Sequence, residues 1–213
     1  MTDLFAPADR FEPLALDRAD VSLLRRFDLG LPDTELLAEL VADTPWRAER
    51  IVVFGREVAQ PRLSCWYGDA DAHYAYSGLQ LAPLAWTARL ADLRRRVEAA
   101  TGEAYNSVLL NYYRDHRDGM GYHSDDEPEL GPAPAIASLS LGERRVFSMK
   151  PKGATGPAPV KIPLDSGSLL LMRGPTQRHW LHGLAKLARP CGPRLNLTFR
   201  RILRPSARNR APA

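Results

Sequence analysis

Cysteine is nearly absent from this chain of 213 residues: only Cys65 and Cys191 occur, too few for the disulfide framework of a small secreted scaffold. The opening Met1-Thr2-Asp3-Leu4-Phe5-Ala6-Pro7 has neither a basic leader nor an apolar stretch ahead of a cleavage site, so both thiols are expected to be reduced, in the cytoplasm. No apolar run approaches the ~20 residues needed to cross a bilayer, and no membrane role is expected. Lysine is scarce as well, supplying four of the 29 basic residues. The arginine that takes its place forks phosphate well, but a GC-rich genome explains so lopsided a ratio more simply. The formal net charge of +4 is compatible with a phosphate-bearing partner and does not identify one.

A hydrophobic content of 45% and a charged content of 25% are those of an ordinary globular protein. The length suits one well-buried core rather than two enzyme domains. Residues 1–20 carry Pro7, Pro13 and scattered charge without a sustained period. They are expected as an extension packed loosely over a single domain of residues 21–205, with 206–213 a C-terminal tail. Pro32-Asp33-Thr34-Glu35 opens a helix with Leu36, Leu37, Leu40 and Val41 at helical spacing, Asp33 as its cap and Pro45 past its end. A second helix follows Pro83, with Trp86, Leu90, Leu93 and Val97 on one face and Gly102 as its stop. Between them, residues 50–80 read as a β-rich excursion.

From Asn106 onward the pattern is strand and turn, with runs at Val108–Tyr113, Ala135–Leu141, Arg145–Lys150, Val160–Leu164, Ser168–Arg173, Trp180–Leu184 and Arg194–Leu203. Gly142-Glu143 is expected to join two of these as a hairpin. The fold class is therefore mainly β with flanking helices (α+β): two packed antiparallel sheets in a jelly roll, braced by two helices.

Within Tyr122-His123-Ser124-Asp125-Asp126-Glu127, His123 and Asp125 are separated by one residue, and His182 follows 57 residues after Asp125. Residues i and i+2 point to the same side of an extended segment. Two imidazoles and a carboxylate so placed can occupy one triangular face of an octahedral ion and leave the opposite face open, a pattern of Fe(II) oxygenases. His179 competes for the third position, and three residues apart on a strand it and His182 point to opposite faces. In Arg194-Leu195-Asn196-Leu197-Thr198-Phe199-Arg200 the even positions are all polar and the odd ones all apolar. Asn111 and Tyr113 repeat the device, and if the two polar faces line one cavity they suit a small dicarboxylate beside the metal.

The Asn-x-Tyr at 111–113, the His-x-Asp-Asp-Glu at 123–127, the His-Trp-x-His at 179–182 and the Arg-x-Asn-x-Thr-Phe-Arg at 194–200, in this order, resemble the AlkB family of 2-oxoglutarate- and Fe(II)-dependent nucleic-acid dealkylases. The resemblance covers roughly residues 50–203 and is closest to the DNA-repair members, whose Pro-Arg (61–62), Tyr-Gly-Asp (67–69) and Tyr-x-[Phe/Tyr]-Ser-Gly (74–78) also stand here. It implies a double-stranded β-helix core, His123, Asp125 and His182 as ligands of Fe(II), and Asn111, Tyr113, Arg194, Asn196 and Arg200 around 2-oxoglutarate. It selects His182 over His179, and implies O2 as the second cosubstrate.

The implied reaction hydroxylates an N-methyl carbon of a base such as 1-methyladenine or 3-methylcytosine, converts 2-oxoglutarate to succinate and CO2, and releases formaldehyde. The substrate is alkylated DNA, single- or double-stranded, with RNA open as a second target, and the protein is expected to act as a monomer. A flipped base invites stacking from Tyr74, Tyr76 or His123. Asp126 and Glu127 would lie near its edge, and Phe54 would be an apolar wedge in the gap. Arg62, Arg56, Arg114 and Arg117 are candidates for phosphate contacts, and Trp66 is either a stacking surface or core. Two other readings stay open: an oxygenase of this class acting on a protein or small molecule, and a non-catalytic damage sensor.

Overall fold

The computed structural model describes residues 10–53, 56–72, 74–76, 79–81, 83–153 and 158–203; for residues 51–53, 56–57, 74–76 and 79–81 it describes the backbone alone. Its elements in chain order are β1 (Glu12–Leu14), β2 (Asp20–Leu24), α1 (Asp33–Asp43), β3 (Arg50–Val53), β4 (Arg56–Ala59), β5 (Leu63–Gly68), β6 (Tyr74–Tyr76), β7 (Leu79–Leu81), α2 (Ala88–Thr101), β8 (Ser107–Tyr113), β9 (Met120–His123), a 3-10 turn (Pro128–Leu130), β10 (Ile136–Gly142), β11 (Arg145–Pro151), β12 (Val160–Leu164), β13 (Leu169–Arg173), α3 (Thr176–His179), β14 (Trp180–Leu184) and β15 (Arg194–Arg200).

An antiparallel sheet ordered β1-β2-β13-β10-β15-β8-β5 faces a second one ordered β12-β11-β14-β9, and β3-β4 and β6-β7 form two-stranded ribbons. This is the expected jelly roll. Its layers follow from the alternation along β15: Leu195, Leu197 and Phe199 pack with Leu36 and Leu40 of α1 and Leu90, Leu93 and Val97 of α2, so both helices brace the outer face of the larger sheet. Between the sheets, Ile136, Leu170 and Met172 meet Met149, Ile162, Leu164 and Trp180, which seals one half of the interior and leaves the other half to polar side chains. No helix among the described residues is long and apolar enough to cross a membrane.

Local chemistry sets the helix ends. Thr87 caps α2 by accepting from the Leu90 amide at 3.2 Å, and Gly102 stops it in the left-handed region, at φ 72°. Asp33 is not a cap: it is the first helical residue of α1, after Pro32 at the cap position, and its carboxylate accepts only from the adjacent Thr34 amide. Three further expectations are corrected. Residues 12–14 form β1, paired with β2, instead of lying in a loose extension; three residues hold too short an alternation to read, and the pairing comes from the neighbouring strand. Gly142-Glu143 is not a hairpin: β10 pairs with β13 and β15, β11 pairs with β12 and β14, and the turn carries the chain from one sheet to the other. The last strand ends at Arg200, because Ile202 turns away to exchange two hydrogen bonds with the Asn106 side chain.

The Tyr-Gly-Asp at 67–69 anchors the end of β5. Tyr67 is 4% exposed in the core. Asp69 accepts from Trp86 Nε1 and Arg94 Nη1, each at 2.8 Å, which ties the strand to α2. Gly68 lies so close to the next strand that an added Cβ would stand 2.9 Å from the Asn106 carbonyl oxygen. Gly68→Ala is therefore expected to destabilise the fold by about 1–3 kcal/mol and lower the melting temperature by several degrees. Thermal denaturation of the purified variant checks this, and an unchanged midpoint would mean that the backbone here yields without cost.

Candidate active site

The four-stranded sheet puts two imidazoles side by side. His123, the last residue of β9, is paired directly with His182 of β14, and Asp125 follows in the loop after β9. One ligating atom from each of His123, Asp125 and His182 lies within 4.8 Å of the others. His123 Nε2 is 4.0 Å from Asp125 Oδ1, and His182 Nε2 is 3.9 Å from Asp125 Oδ2, too far for hydrogen bonds and near enough for one small cation to bridge. His123 Nδ1 lies 3.0 Å from the Gly121 carbonyl oxygen; donating there fixes the proton on Nδ1 and leaves the Nε2 lone pair facing the other two groups. Phe147 stacks on the His182 ring, centroids 5.3 Å apart.

Asp125 is 4% exposed and held at two points. Its backbone N–H donates to Gln177 Oε1 at 3.0 Å, Oδ1 accepts from Arg200 Nη2 at 2.8 Å, and Oδ2 is buried without a hydrogen-bond partner. Burial by itself raises the carboxyl pKa, but the Arg200 guanidinium, helped by the two imidazoles, outweighs it and holds the group at about 2. Burial pushes His182 down to about 3 against the upward pull of Asp125, so its imidazole is neutral at pH 7. A carboxylate with one open oxygen and neutral imidazole nitrogen beside it form a donor set that could hold Fe(II).

Beside these groups lies a cleft of about 470 Å³, its solvent mouth included, lined by the polar faces of β8 and β15. Arg194 stands opposite Tyr113, and Asn196 opposite Asn111. Arg194 is 2% exposed; its Nη2 donates to Ser140 Oγ at 2.7 Å, and its guanidinium lies 5.5 Å from the Tyr113 ring centroid. Burial brings its pKa down to about 10, which leaves it charged, and its Nε is buried with no partner. Asn196 donates to Ser138 Oγ and the Leu139 carbonyl and accepts from Thr198. A buried cation with an unused donor, at the end of a polar cleft that starts at the three-residue cluster, fits a small dicarboxylate such as 2-oxoglutarate.

All eight residues expected around metal and oxoacid thus line one cleft. His179 ends α3 instead of sharing a strand with His182, so a helix-to-strand junction, not strand parity, separates the two. Arg62 points at the same cleft: its Nε donates to Asn111 Oδ1 at 2.8 Å. Asp126 is exposed and paired with Lys152 at 2.6 Å, while Glu127 is half-buried with Oε2 lacking a hydrogen-bond partner. Arg114 is bound to Asp118 and Arg117 to Asp115 within one turn. Trp66 packs against Ala72, Leu130 and Ile202. Phe54 lies outside the described residues, as do the side chains of Tyr74, Tyr76 and Arg56.

Sequence reasoning missed the residues that support these groups. Ser138 and Ser140 could have been found from the Ser-Leu alternation of β10, which repeats the polar-apolar pattern of β15. Gln177 and Phe147 carry no such signal, because each acts across a sheet register that only folding creates.

The 2OG-Fe(II) oxygenase superfamily model matches residues 32–200. The human DNA oxidative demethylase ALKBH2 is 44% identical over 160 residues, which cover 72% of this chain and 61% of that protein; its mouse counterpart is 44% identical over 160 residues, 72% and 67% of the two chains. The human alpha-ketoglutarate-dependent dioxygenase alkB homolog 3 is 41% identical over 179 residues, 78% of this chain and 60% of that one. The chain spans about three-fifths of the length of these human relatives. A solved structure of OsALKBH1 shares the fold, with a TM-score of 0.59 at 18% identity, covering 89% of this chain and all of that one. The family's reactants are Fe(II), 2-oxoglutarate and O2, which the donors of the cleft suit. On the match across residues 32–200 and these relatives, the chain belongs to the 2OG-Fe(II) oxygenase superfamily and, within it, to the AlkB family.

Proposed function

We propose that this protein oxidatively dealkylates N-alkylated bases such as 1-methyladenine and 3-methylcytosine in DNA, turning 2-oxoglutarate and O2 into succinate and CO2 and releasing the methyl carbon as formaldehyde. The observation that carries this reading is one cleft holding both a three-donor cluster, His123, Asp125 and His182, and a buried arginine with an unused donor, Arg194. The names of the relatives, a DNA oxidative demethylase among them, support the substrate class.

In this reading His123, Asp125 and His182 hold the iron, which when bound supplies the oxidising chemistry. The protein's own residues orient and exclude. Arg200 occupies one carboxylate oxygen of Asp125, so the other, Oδ2, is the free donor. Arg194, Asn196, Asn111 and Tyr113 bind the oxoacid along β15 and β8, its distal carboxylate toward Arg194. Phe147, stacked on His182, fixes the ring and keeps water from that side. Glu127, next but one to Asp125, supplies a desolvated acceptor for the edge of a cationic or amino-bearing base. Asp126 is exposed and engaged by Lys152 at 2.6 Å, so Glu127 carries this preference.

Formaldehyde and succinate are expected from oligonucleotides bearing 1-methyladenine or 3-methylcytosine only when Fe(II), 2-oxoglutarate and O2 are all supplied, and Asp125→Ala should abolish both products. Matched single-stranded, duplex and RNA substrates rank the targets. Turnover of a methylated protein with none on any oligonucleotide would overturn the substrate class. Gln177→Leu removes the acceptor of the Asp125 amide and should weaken Mn(II) binding about 10- to 100-fold, whereas Gln177→Glu, which keeps an acceptor oxygen, should weaken it less. Titration calorimetry reads both, and equal affinity in all three proteins would show that the loop holds Asp125 without Gln177.

A further inference from the structure

One buried cation next to the cleft has no place in the reading above. Arg145 opens β11 and shares a strand face with Phe147, which lines the cleft, and Met149, which packs between the sheets. It is 1% exposed. Its Nη2 donates to the carbonyl oxygens of Asp118 at 3.0 Å and Ala185 at 2.6 Å, while Nε and Nη1 are buried with no partner. Its charge is felt across the interior: it presses the pKa of Arg194 down, after the larger effect of burial, and that of Tyr113 in the same direction, against burial, which raises it.

Arg194 lines this end of the cleft and Arg145 lies behind it, three residues along the chain from Gly142, which pairs with Arg194; neither guanidinium is hydrogen-bonded to a carboxylate. The nearby acid Asp118 is engaged by Arg114, which approaches it through its backbone N–H, Nε and Nη2. Like charges buried together without a counter-ion repel and are poorly solvated, and three of their nitrogens, Arg145 Nε and Nη1 and Arg194 Nε, have nothing to donate to. A carboxylate arriving at this end gives Arg194 an acceptor and offsets the repulsion between the two charges.

We propose that Arg145 is a positioning residue for the distal carboxylate of the oxoacid, acting from behind Arg194 and Tyr113 so that the cleft selects a dicarboxylate over a 2-oxo acid with an uncharged tail. This rests on the reading that the cleft binds 2-oxoglutarate. Arg194 makes the direct contact; Arg145, which does not line the cleft, adds the second charge.

The test compares two ligands that differ only at that end. The full chain, loaded anaerobically with redox-inert Mn(II), is titrated by calorimetry with 2-oxoglutarate and with 2-oxopentanoate, which lacks the distal carboxylate. Arg145→Met is expected to lose about tenfold in affinity for 2-oxoglutarate and to bind 2-oxopentanoate as the unaltered chain does, so that the selectivity ratio collapses. Arg145→Gln, which keeps an amide donor for the two carbonyls, carries the same expectation should the Met variant fail to fold. If both affinities fall together, or neither changes, Arg145 serves packing and the proposal is overturned. If the unaltered chain binds Mn(II) but not 2-oxoglutarate, the functional reading itself fails, and the inference with it.

Discussion

The site depends on keeping a carboxylate charged where burial argues against it. Asp125 is almost wholly enclosed, and an isolated carboxyl there would take up a proton instead of binding metal. What reverses this is a convergence of three chain segments, Arg200 from the end of β15, His123 from β9 and His182 from β14, while Gln177 of α3 holds the Asp125 backbone in place. Arg200 comes from the larger sheet and the two histidines from the smaller one, so the ionised carboxylate exists only once both sheets have formed and faced each other. Folding and competence for metal are in that sense a single event.

β15 shows how the same residues serve both. Its apolar side chains hold the helices against the larger sheet, and its polar ones present two guanidiniums, an amide and a hydroxyl to the cleft. A slip of one residue in its pairing with β8 would send leucines into the cleft and arginines into the helix interface. The site is therefore guarded by the core's own preference for its register, and no separate device is needed to place Arg194 opposite Tyr113.

The part of this that could be read from the chain is the part written in strand parity. The even polar positions of 194–200 and Asn111 with Tyr113 sit two apart on their strands, and a period of two survives any error in where a strand ends; His123 and Asp125 have the same spacing but straddle the end of β9. What escaped depends on which strands become neighbours. Gly142-Glu143 looks locally like a hairpin and is a crossing between sheets. Gln177 and Arg145 reach partners 52 and 40 residues away with no motif to announce them. The arginines thought to meet phosphate divide in the same way: Arg62 bonds Asn111 inside the cleft, while Arg114 and Arg117 are held by aspartates of their own turn, pairings that charge counting along the sequence does not resolve.

The scarcity of lysine also takes on a local meaning. Its four occurrences, Lys150, Lys152, Lys161 and Lys186, fall on or just beyond the strands of the smaller sheet, none of them buried, while the enclosed cations of the interior, Arg145 and Arg194, are arginines. Full burial takes Arg194 from 12.5 to about 10, and it still carries its proton. A lysine starting near 10.4 and shifted equally would come to roughly 8, close enough to neutrality to lose much of its charge as the pH rises. Whatever nucleotide bias favours arginine elsewhere in the chain, a cleft that must present permanent positive charge from a dry interior has only the guanidinium to choose.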